Sequence, residues 1–379
     1  ILLSYNNMSD KGNDRSNAKI SDADIMRILS KKGKVTIFES DYKSFSTGKS
    51  DIKDNKERLF LCEVFSEEKK KINISCPFNY IGGKFKLLEQ LQPLFLEKDV
   101  FLDLFAGGGN VGINSSSSKV IFNDLNEKLI DLIKFIKDTD TNILLKQIDN
   151  IIDGYGLSNT SLYGYSYYNC DSSRGLAECN KGRFLKLRDD FNAKVLAGET
   201  DYSMLYVLMV FSFNNQIRFN RKGLFNLPVG KRDFNSKMRS KLVLFSKELK
   251  SKDVQFMKKD FREISLDDFS HETFIYCDPP YLITNATYNE NGMWTEIEEK
   301  TLLEFLDEAN EKGFSFALSN VLESKNKKNG ILYNWIESKG YYCNRLNKSY
   351  SNSNYHRKNK NSISEEVLIT NYPLNWRNK

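Results

Sequence analysis

The stretch that decides the fold is FLDLFAGGGN, residues 101–110, in which a short apolar run leads into three consecutive glycines. Glycine allows a sharp turn and a close approach of a ligand, so the pattern is typical of a strand that turns into a helix beside a bound molecule. No Gly-Lys-Ser/Thr follows, which excludes a Walker-type phosphate loop. The next apolar run, 120–122, is followed by Asn123 and Asp124. An acid there can bind the two hydroxyls of a ribose, which implies a ribose-containing cofactor.

The elements around this turn follow the order of a parallel α/β sheet. Helical periodicity at 84–95 and at 127–136 flanks the two runs. Apolar runs typical of buried strands recur at 254–257, 273–277 and 314–318. From about 140 to 250 this alternation lapses into polar loops and amphipathic segments. We therefore expect one α/β domain interrupted by a smaller inserted domain.

Length and composition exclude several classes of protein. With 379 residues, 40% hydrophobic and 28% charged, the chain is too large for a small scaffold and too apolar for a disordered one. It lacks a run of about 18 apolar residues, and its opening ILLSYNN does not resemble a signal peptide, so we expect a soluble, cytoplasmic protein without membrane contact. The six cysteines form no CxxC pair and there are two histidines, so we expect neither a metal site nor disulfides.

Two stretches concentrate the positive charge behind the net charge of +6. Residues 218–241 carry eight Lys/Arg and one acid, and residues 339–364 carry six Lys/Arg and no acid. A charged run is often only a solvated face. Aromatic residues alternate with the cations in both stretches, however, which is typical of grooves that bind nucleic acid.

The start of the chain resembles its end. The first twenty or so residues are polar and predict a mobile tail or linker. Predicted elements follow, a helix at 22–29 and strands at 34–38 and 58–65. A Lys-Gly helix end, a strand, a Tyr-containing polar loop and a Glu-led strand occupy 31–64 and occur again at 338–372. Coincidence is one explanation; the other is that residues 1–70, which begin with Ile rather than Met, are the tail of a preceding related domain.

Asp278-Pro279-Pro280-Tyr281, directly after the run 273–277, carries the predicted chemistry. Two prolines remove two backbone donors and keep the chain extended, so the Asp278 carboxylate and the Pro279 carbonyl can point the same way. These two groups can accept both N–H groups of a primary amine on an aromatic base and leave the nitrogen lone pair facing an electrophile. Tyr281 offers a ring on which a base can stack. If this motif stood alone, the alternative would be a turn at the end of a strand in which the aspartate serves only as a cap.

Taken in order, the motifs resemble the Dam-type (D12 class) adenine-N6 DNA methyltransferases, which use S-adenosyl-L-methionine. Four segments resemble the family's cofactor motifs: Tyr80 to Lys84 the N-terminal motif, with Tyr replacing Trp; Asp103 to Gly109 the motif on the methionine side; Asp124 the ribose-binding acid; and Asp260-Phe261 the pair at the cofactor adenine. Asp278 to Tyr281 resembles the catalytic tetrapeptide. Arg218 to Gly230 resembles the DNA-contacting stretch, with Leu227 replacing Val, and Tyr355 to Asn371 resembles the closing hairpin. The resemblance covers residues 77–372.

The resemblance implies an α/β, Rossmann-like, doubly wound methyltransferase sheet with an inserted, mainly helical DNA-recognition domain. The implied domains are residues 1–70, an N-terminal extension that can be the tail of a preceding related methyltransferase domain; residues 71–139 and 251–379, the catalytic domain that binds S-adenosyl-L-methionine; and residues 140–250, the inserted target-recognition domain. The segment from about 140 to 210 shows no clear correspondence to the family.

The implied activity is methyl transfer to N6 of a flipped adenine in double-stranded DNA, without a metal. The implied catalytic residues are Asp278, Pro279, Pro280 and Tyr281. The implied cofactor-binding residues are Tyr80, Gly82, Gly83, Lys84, Asp103, Phe105, Gly107, Gly109, Asp124, Asp260, Phe261 and Asp278. The implied DNA contacts are Arg218, Asn220, Arg221, Lys222, Asn226, Pro228 and Tyr355.

The implied setting is the cytoplasm of a prokaryote, in a restriction-modification system with a cognate restriction endonuclease and a fused or partner methyltransferase. Two alternatives stay open. The same tetrapeptide can serve adenine in RNA or an exocyclic cytosine nitrogen, and a nucleic-acid-binding module without turnover is a different class. The intact Asp278 and Asp124 argue against the binding module.

Overall fold

The computed structural model describes most of the chain. The described residues are 2–6, 20–41, 56–64, 72–80, 82–171, 173–283, 294–324, 327–346 and 365–373. The chain divides into two compact units, Ile1–Ile72 and Asn73–Lys379. No helix among the described residues is long and apolar enough to cross a membrane.

Within the described residues, the N-terminal unit is a three-stranded antiparallel sheet with one helix. Its elements are β1 (Leu2–Asn6), α1 (Asp22–Leu29), β2 (Gly33–Asp41) and β3 (Lys56–Val64), in the strand order β1-β3-β2. Helix α1 begins after Ser21, whose side chain accepts a hydrogen bond from the Asp24 N–H. Ile25 and Leu29, four residues apart on one helix face, form the small core of this unit with Phe60 of β3.

The prediction of a mobile tail over the first twenty residues is wrong for β1. Its residues pair in antiparallel register with β3, from Leu2 opposite Leu61 to Asn6 opposite Glu57. This pairing uses backbone groups that every residue type offers, so the polar composition of the segment did not reveal it. Residues 7–19, the rest of the predicted tail, lie outside the described residues.

The larger unit is built on a mostly parallel sheet, eight-stranded within the described residues. Its strands are β4 (Val100–Asp103), β5 (Lys119–Asn123), β6 (Asp253–Met257), β7 (Thr273–Cys277), β8 (Ser315–Ser324), β9 (Lys327–Lys328), β10 (Tyr342–Leu346) and β11 (Glu365–Thr370). The order is β10-β11-β8-β7-β4-β5-β6, and β9 pairs with the end of β8. Strands β4 to β8 are parallel to one another, whereas β11 is antiparallel to both β8 and β10.

Side chains alternate between two cores, one on each face of the sheet. In β7, Phe274 and Tyr276 enter the first core, while Ile275 and Cys277 enter the second. Every residue of β7 is buried, as expected for a central strand with both faces covered. The predicted boundaries of β7 coincide with the observed ones, because a short, fully apolar run bounded by polar residues marks such a strand.

Helices cover both faces. They are α2 (Leu88–Leu91), α3 (Glu127–Asp138), α4 (Thr141–Gly154), α5 (Thr160–Tyr163), α6 (Ala177–Leu196), α7 (Tyr202–Phe211), α8 (Ser236–Ser251), α9 (Glu296–Glu311) and α10 (Gly330–Lys339). Helix α7 is buried nearly all round and packs against α4 and α6. Residues of α4, α6, α7 and α8 share the first core with the sheet. The segment 140–250 is thus mainly helical; its separation as an inserted domain stays a prediction.

The N-terminal unit and the end of the larger unit have the same topology. In β1-α1-β2-β3 and in β8-α10-β10-β11, a strand, a helix and a pair of strands occur in the same order, with the short β9 added after β8. In both, the last strand lies antiparallel between the other two. The repeat predicted from the sequence therefore extends one strand further back, to β1 and β8.

The predicted α/β fold class is confirmed, since the larger unit is a mostly parallel sheet with helices on both faces. Strand β4 lies between β5 and β7, so chain connections leave it in opposite directions. Ligands of such sheets bind in the crevice at the carboxyl ends of the strands where this reversal occurs. Asp103, Asp124 and Asp278 all lie at that edge, at or just after the ends of β4, β5 and β7.

Candidate active site

Asp278 begins the extended segment that leaves the central strand β7. Its side chain retains 16% exposure, so the carboxylate is reachable from one side only. The Tyr281 hydroxyl donates a hydrogen bond to Asp278 Oδ1 at 3.0 Å. Burial raises the pKa of the Asp278 carboxyl, and the nearby ammonium of Lys84 opposes that rise. The predicted catalytic residues Pro279 and Pro280 connect these two side chains along the backbone.

Lys84, predicted to bind cofactor, is paired with the catalytic carboxylate. Its Nζ lies 2.6 Å from the Asp278 carboxylate and donates to the Gly82 carbonyl at 3.0 Å. The side chain is 1% exposed, and a buried cation needs such partners to offset the loss of water. The same ammonium lies 5.1 Å from the centre of the Tyr281 ring. Lys84 therefore joins the N-terminal cofactor motif to the catalytic tetrapeptide.

Glu366 is a site residue that the sequence analysis missed. It lies on β11 with a side chain 1% exposed, and its Oε1 accepts a hydrogen bond from the Tyr281 hydroxyl at 3.2 Å. Glu366 Oε1 is also 3.5 Å from Lys84 Nζ. The available signal was an acid inside the apolar strand pattern of the closing hairpin. Its meaning depends on β11 lying beside β8, which the sequence pattern does not reveal.

The glycine turn and the N-terminal motif form one wall of a cleft. Gly107 has a φ of +50°, and a Cβ there would lie 2.8 Å from the Tyr80 ring, so only glycine fits. The predicted cofactor residues that line this cleft are Tyr80, Gly82, Gly83, Lys84, Asp103, Phe105, Gly107 and Asp278. Gly109, with a φ of +72°, completes the turn. The structure thus gathers most of the predicted cofactor-binding residues in one place.

Two acids flank the turn. Asp103 Oδ2 accepts a hydrogen bond from the Gly112 N–H at 3.0 Å, and burial raises the pKa of Asp103 to about 8. Within the described residues, Asp103 Oδ1 is buried without a hydrogen-bond partner. Asp124 accepts from the N–H groups of Gly107 and Asn126, both at 2.8 Å, and burial raises its pKa as well. Asp103 lines the cleft, whereas Asp124 is not among the lining residues and is joined to the cleft through the Gly107 N–H.

Asp260 and Phe261 do not line the cleft that most of the other cofactor residues share. The carboxylate of Asp260 binds the Arg262 guanidinium through two contacts of 2.6 and 2.8 Å. Phe261 is buried, and its ring centre lies 5.7 Å from that of Phe105, which does line the cleft. The predicted adenine pair therefore reaches the cleft only through the Phe105 ring.

The predicted DNA-contacting residues lie on a tight hairpin. Phe219 and Phe225 form a β-bridge, and the Asn220 side chain accepts hydrogen bonds from two N–H groups of the turn. Phe225 is buried, and its backbone N–H and carbonyl both bond to the Asn192 side chain, which fixes the hairpin to α6. The exposed members of the predicted set are Arg218, Asn220, Arg221, Lys222 and Pro228.

Arg218 donates to the side-chain carbonyl of Asn226 at 2.9 Å, so these two predicted DNA contacts brace each other. The loop before the hairpin is tied to the cofactor motif, because the Asn79 side chain donates to the Asn214 carbonyl at 2.8 Å. Tyr355, the last predicted contact, lies outside the described residues.

Comparison with known proteins gives a family and several relatives. The model of the D12 class N6 adenine-specific DNA methyltransferases matches residues 80–351. A modification methylase named StsI, from Streptococcus sanguinis, is 37% identical over 98% of this chain and 56% of its own length. The type II methyltransferase M.FokI, from Planomicrobium okeanokoites, is 38% identical over 79% of this chain and 43% of its own.

A DNA adenine methylase from Serratia marcescens is 26% identical over 55% of this chain and 68% of its own length. The chain spans about half the length of the StsI and M.FokI relatives. The matched segment contains the cleft, the catalytic tetrapeptide and the basic hairpin that the geometry brings into one unit. The chain belongs to the D12 class of N6 adenine-specific DNA methyltransferases.

Proposed function

We propose that this protein transfers a methyl group from S-adenosyl-L-methionine to N6 of adenine in double-stranded DNA. The observation that carries the proposal is the position of Asp278 and Pro279, which leave the central strand beside a cleft lined by the glycine turn and Asp103. Family membership implies a methyl donor and a DNA substrate. Adenine N6 in duplex DNA is the acceptor that this chemistry fits best.

The cleft residues fit such a cofactor. Asp103 Oδ1, which has no partner within the described residues, can accept a hydrogen bond from the ammonium at the methionine end. Gly107 leaves a space beside Tyr80 that any Cβ would fill. Asp124 presents a fixed carboxylate suited to ribose hydroxyls. When bound, the cofactor supplies an electrophilic methyl group on a sulfonium.

The protein's own groups then act on the acceptor amine. Asp278 and the Pro279 carbonyl accept its two N–H groups, which directs the nitrogen lone pair away from them and toward the methyl group. Transfer would form the N–C bond as the carbon–sulfur bond of the sulfonium breaks and a neutral thioether leaves. The Asp278 carboxylate would stabilise the positive charge that the nitrogen gains, until the amine loses a proton to water. Lys84 holds that carboxylate in place through their 2.6 Å contact. Catalysis therefore comes mainly from orientation and from a fixed negative charge.

An adenine stacked in a duplex cannot present its amine to a carboxylate at the bottom of a cleft, so the target base is flipped out. The Tyr281 ring is the surface on which the flipped base stacks. Its hydroxyl is bonded to Asp278 Oδ1 at 3.0 Å, which keeps the ring next to the amine-binding carboxylate.

The basic hairpin provides the DNA contacts. Arg221 and Lys222 are exposed at its tip, where their charges can reach phosphate oxygens. Arg218 and Asn226 brace the hairpin and lie on the same element. Because phosphate contacts carry no base information, these residues set affinity and register more than target choice.

The cellular role and the domain assignment are part of the same proposal. The relatives named as modification methylases support a restriction-modification role with a cognate endonuclease, in the cytoplasm of a prokaryotic cell. The shared topology of β1-α1-β2-β3 and β8-α10-β10-β11 supports the assignment of residues 1–70 to a related methyltransferase domain. We assign residues 71–139 and 251–379 to catalysis and 140–250 to target recognition.

The test is to treat an unmethylated plasmid with the purified chain and S-adenosyl-L-methionine and to map modified bases by sequencing. We expect N6-methyladenine at a recurring short sequence. Methylation of RNA alone, or of a cytosine amine, would replace the proposed acceptor, and duplex binding without any modified base would make the protein a binding module.

A further inference from the structure

Glu366 is a buried acid beside the catalytic carboxylate, and nothing in the tetrapeptide chemistry uses it. Its side chain is 1% exposed, and it lies on β11, the antiparallel strand beside β8. An ionised carboxylate buried this deeply is costly unless it is paired and hydrogen-bonded. Both kinds of partner are present, in Lys84 and Tyr281.

Lys84 lies between two carboxylates. Its Nζ is 2.6 Å from Asp278 and 3.5 Å from Glu366 Oε1, so the closer acid is the catalytic one. A single ammonium shared in this way is held from two directions. Without Glu366, the Lys84 ammonium would keep its contacts with Asp278 and the Gly82 carbonyl but would lose the second carboxylate.

The Tyr281 hydroxyl bridges the same two acids. It lies 3.0 Å from Asp278 Oδ1 and 3.2 Å from Glu366 Oε1. A hydroxyl has one proton to donate, so the two carboxylates share it. Glu366 consequently fixes the position of the Tyr281 ring from the side of β11, opposite the chain segment that carries Asp278.

We propose that Glu366 is a positioning residue for methyl transfer: it holds the Lys84 ammonium and the Tyr281 hydroxyl so that Asp278 and the Tyr281 ring stay in the geometry that receives the base. Glu366 touches neither base nor cofactor in this role and acts through these two side chains. The inference rests on the proposed function, because it concerns the same site.

Glu366→Gln tests the role with the least change in shape. The amide oxygen can still accept from Tyr281, but the negative charge facing Lys84 is lost. We expect the single-turnover methylation rate to fall about 10- to 100-fold, as for a small misplacement of reacting groups, with the affinities for cofactor and DNA changed only a few-fold. Glu365→Gln is the matched control, since Glu365 is the adjacent residue and pairs with Arg345 instead; its rate should equal that of the unaltered chain.

A double-mutant cycle separates positioning from general stability. Tyr281→Phe keeps the ring and removes the hydroxyl, and it is combined with Glu366→Met, which removes the acceptor that Glu366→Gln retains. If Glu366 acts through that hydroxyl, the combined variant should lose less rate than the product of the two single losses. Independent, multiplying losses would overturn the proposal, as would a Glu366→Gln rate within two-fold of the unaltered chain.

Two controls address a variant that does not fold and an unaltered chain that is inactive. If Glu366→Gln does not fold, Glu366→Asp retains the charge and withdraws it by one methylene; a folded Asp variant with the full rate would overturn the role. The unaltered chain is assayed in parallel, and its failure to methylate DNA would overturn the proposed function itself. A slow Glu366→Gln variant beside an active parent supports the inference.

Discussion

In the N-terminal unit and in the last part of the catalytic unit, the same four elements pair in the same register. Phe38 lies five residues after Gly33 and pairs with Leu59 of β3. Arg345 lies five residues after Gly340 and pairs with Val367 of β11. Both glycines follow the helix that precedes the pair. The last two strands of each copy therefore pair in the same register.

The difference lies one residue earlier on the closing strand. Glu366 precedes Val367, whereas Arg58 precedes Leu59 in the N-terminal unit. Arg58 forms ion pairs with Asp22 of α1 and Glu39 of β2, inside its own small unit. The comparison shows that strand pairing can persist without the site, because pairing depends on the backbone while the site depends on single charges.

A second difference concerns the first strand. Strand β8 pairs with β11 on one edge and with the parallel strand β7 on the other. Within the described residues, β1 pairs with β3 alone. Asp278, Lys84 and the glycine turn all lie in the larger unit. The described part of the N-terminal unit has no counterpart of them. If catalysis depends on these residues, substitutions in the larger unit should lower methylation, and changes in the N-terminal unit should not.

The largest effect is expected for Asp278→Ala. Loss of the fixed charge beside the amine should lower methylation at least about 100-fold, while the cofactor dissociation constant changes only a few-fold. Rates are measured in single turnover and binding by calorimetry. Asp22→Ala in the N-terminal unit is the control and should leave the rate unchanged; substantial turnover by Asp278→Ala would remove the assigned role.

Asp124→Ala should show the opposite pattern. Removing a charged acceptor of ribose hydroxyls is expected to weaken S-adenosyl-L-methionine by about 1.5 to 3 kcal/mol. Its contacts with the Gly107 and Asn126 N–H groups are lost as well, so thermal unfolding is followed in parallel. An unchanged dissociation constant in the folded variant would move the ribose contact elsewhere.

Arg221→Ala combined with Lys222→Ala should act on DNA affinity rather than on chemistry. Loss of two phosphate contacts flattens the dependence of binding on salt by about one to two units of slope. The preference for one target sequence should survive. Binding measured across a salt series checks this, and an unaltered slope would mean that the hairpin tip is only a solvated face.

The smallest effect is expected from removing residues 1–72. Every residue assigned to catalysis or to the cofactor lies in the unit Asn73–Lys379. The methylation rate of residues 73–379 should therefore stay within a few-fold of the full chain. A large loss would make the N-terminal unit part of the catalytic machinery and would break the comparison between the two copies.

Local sequence patterns predicted the central elements well. Strand β7 and helix α1 begin and end where expected, because a buried apolar run and a capped amphipathic turn are read from neighbouring residues. Strand β8, predicted to end at residue 318, continues to Ser324. Its last residues are less apolar, but they pair with β11 and β9. A local sequence pattern cannot predict this pairing.

Non-local pairing also explains what was missed at the site. Asp103, Asp124 and Asp278 each end or follow a strand, so their convergence followed from the fold class. Glu366 enters the site because β11 lies antiparallel beside β8, and β1 was missed because only pairing with β3 defines it. Both depend on contacts between segments distant in sequence.

The most direct test of the central claim uses S-adenosyl-L-methionine with a deuterated methyl group. The purified chain is incubated with this cofactor and unmethylated duplex DNA, and the nucleosides are analysed by mass spectrometry. We predict deuterated N6-methyldeoxyadenosine from the unaltered chain and none from Asp278→Ala. Label in methyldeoxycytidine, or no labelled nucleoside despite DNA and cofactor binding, would contradict the assignment of Asp278 as the group that receives the adenine amine.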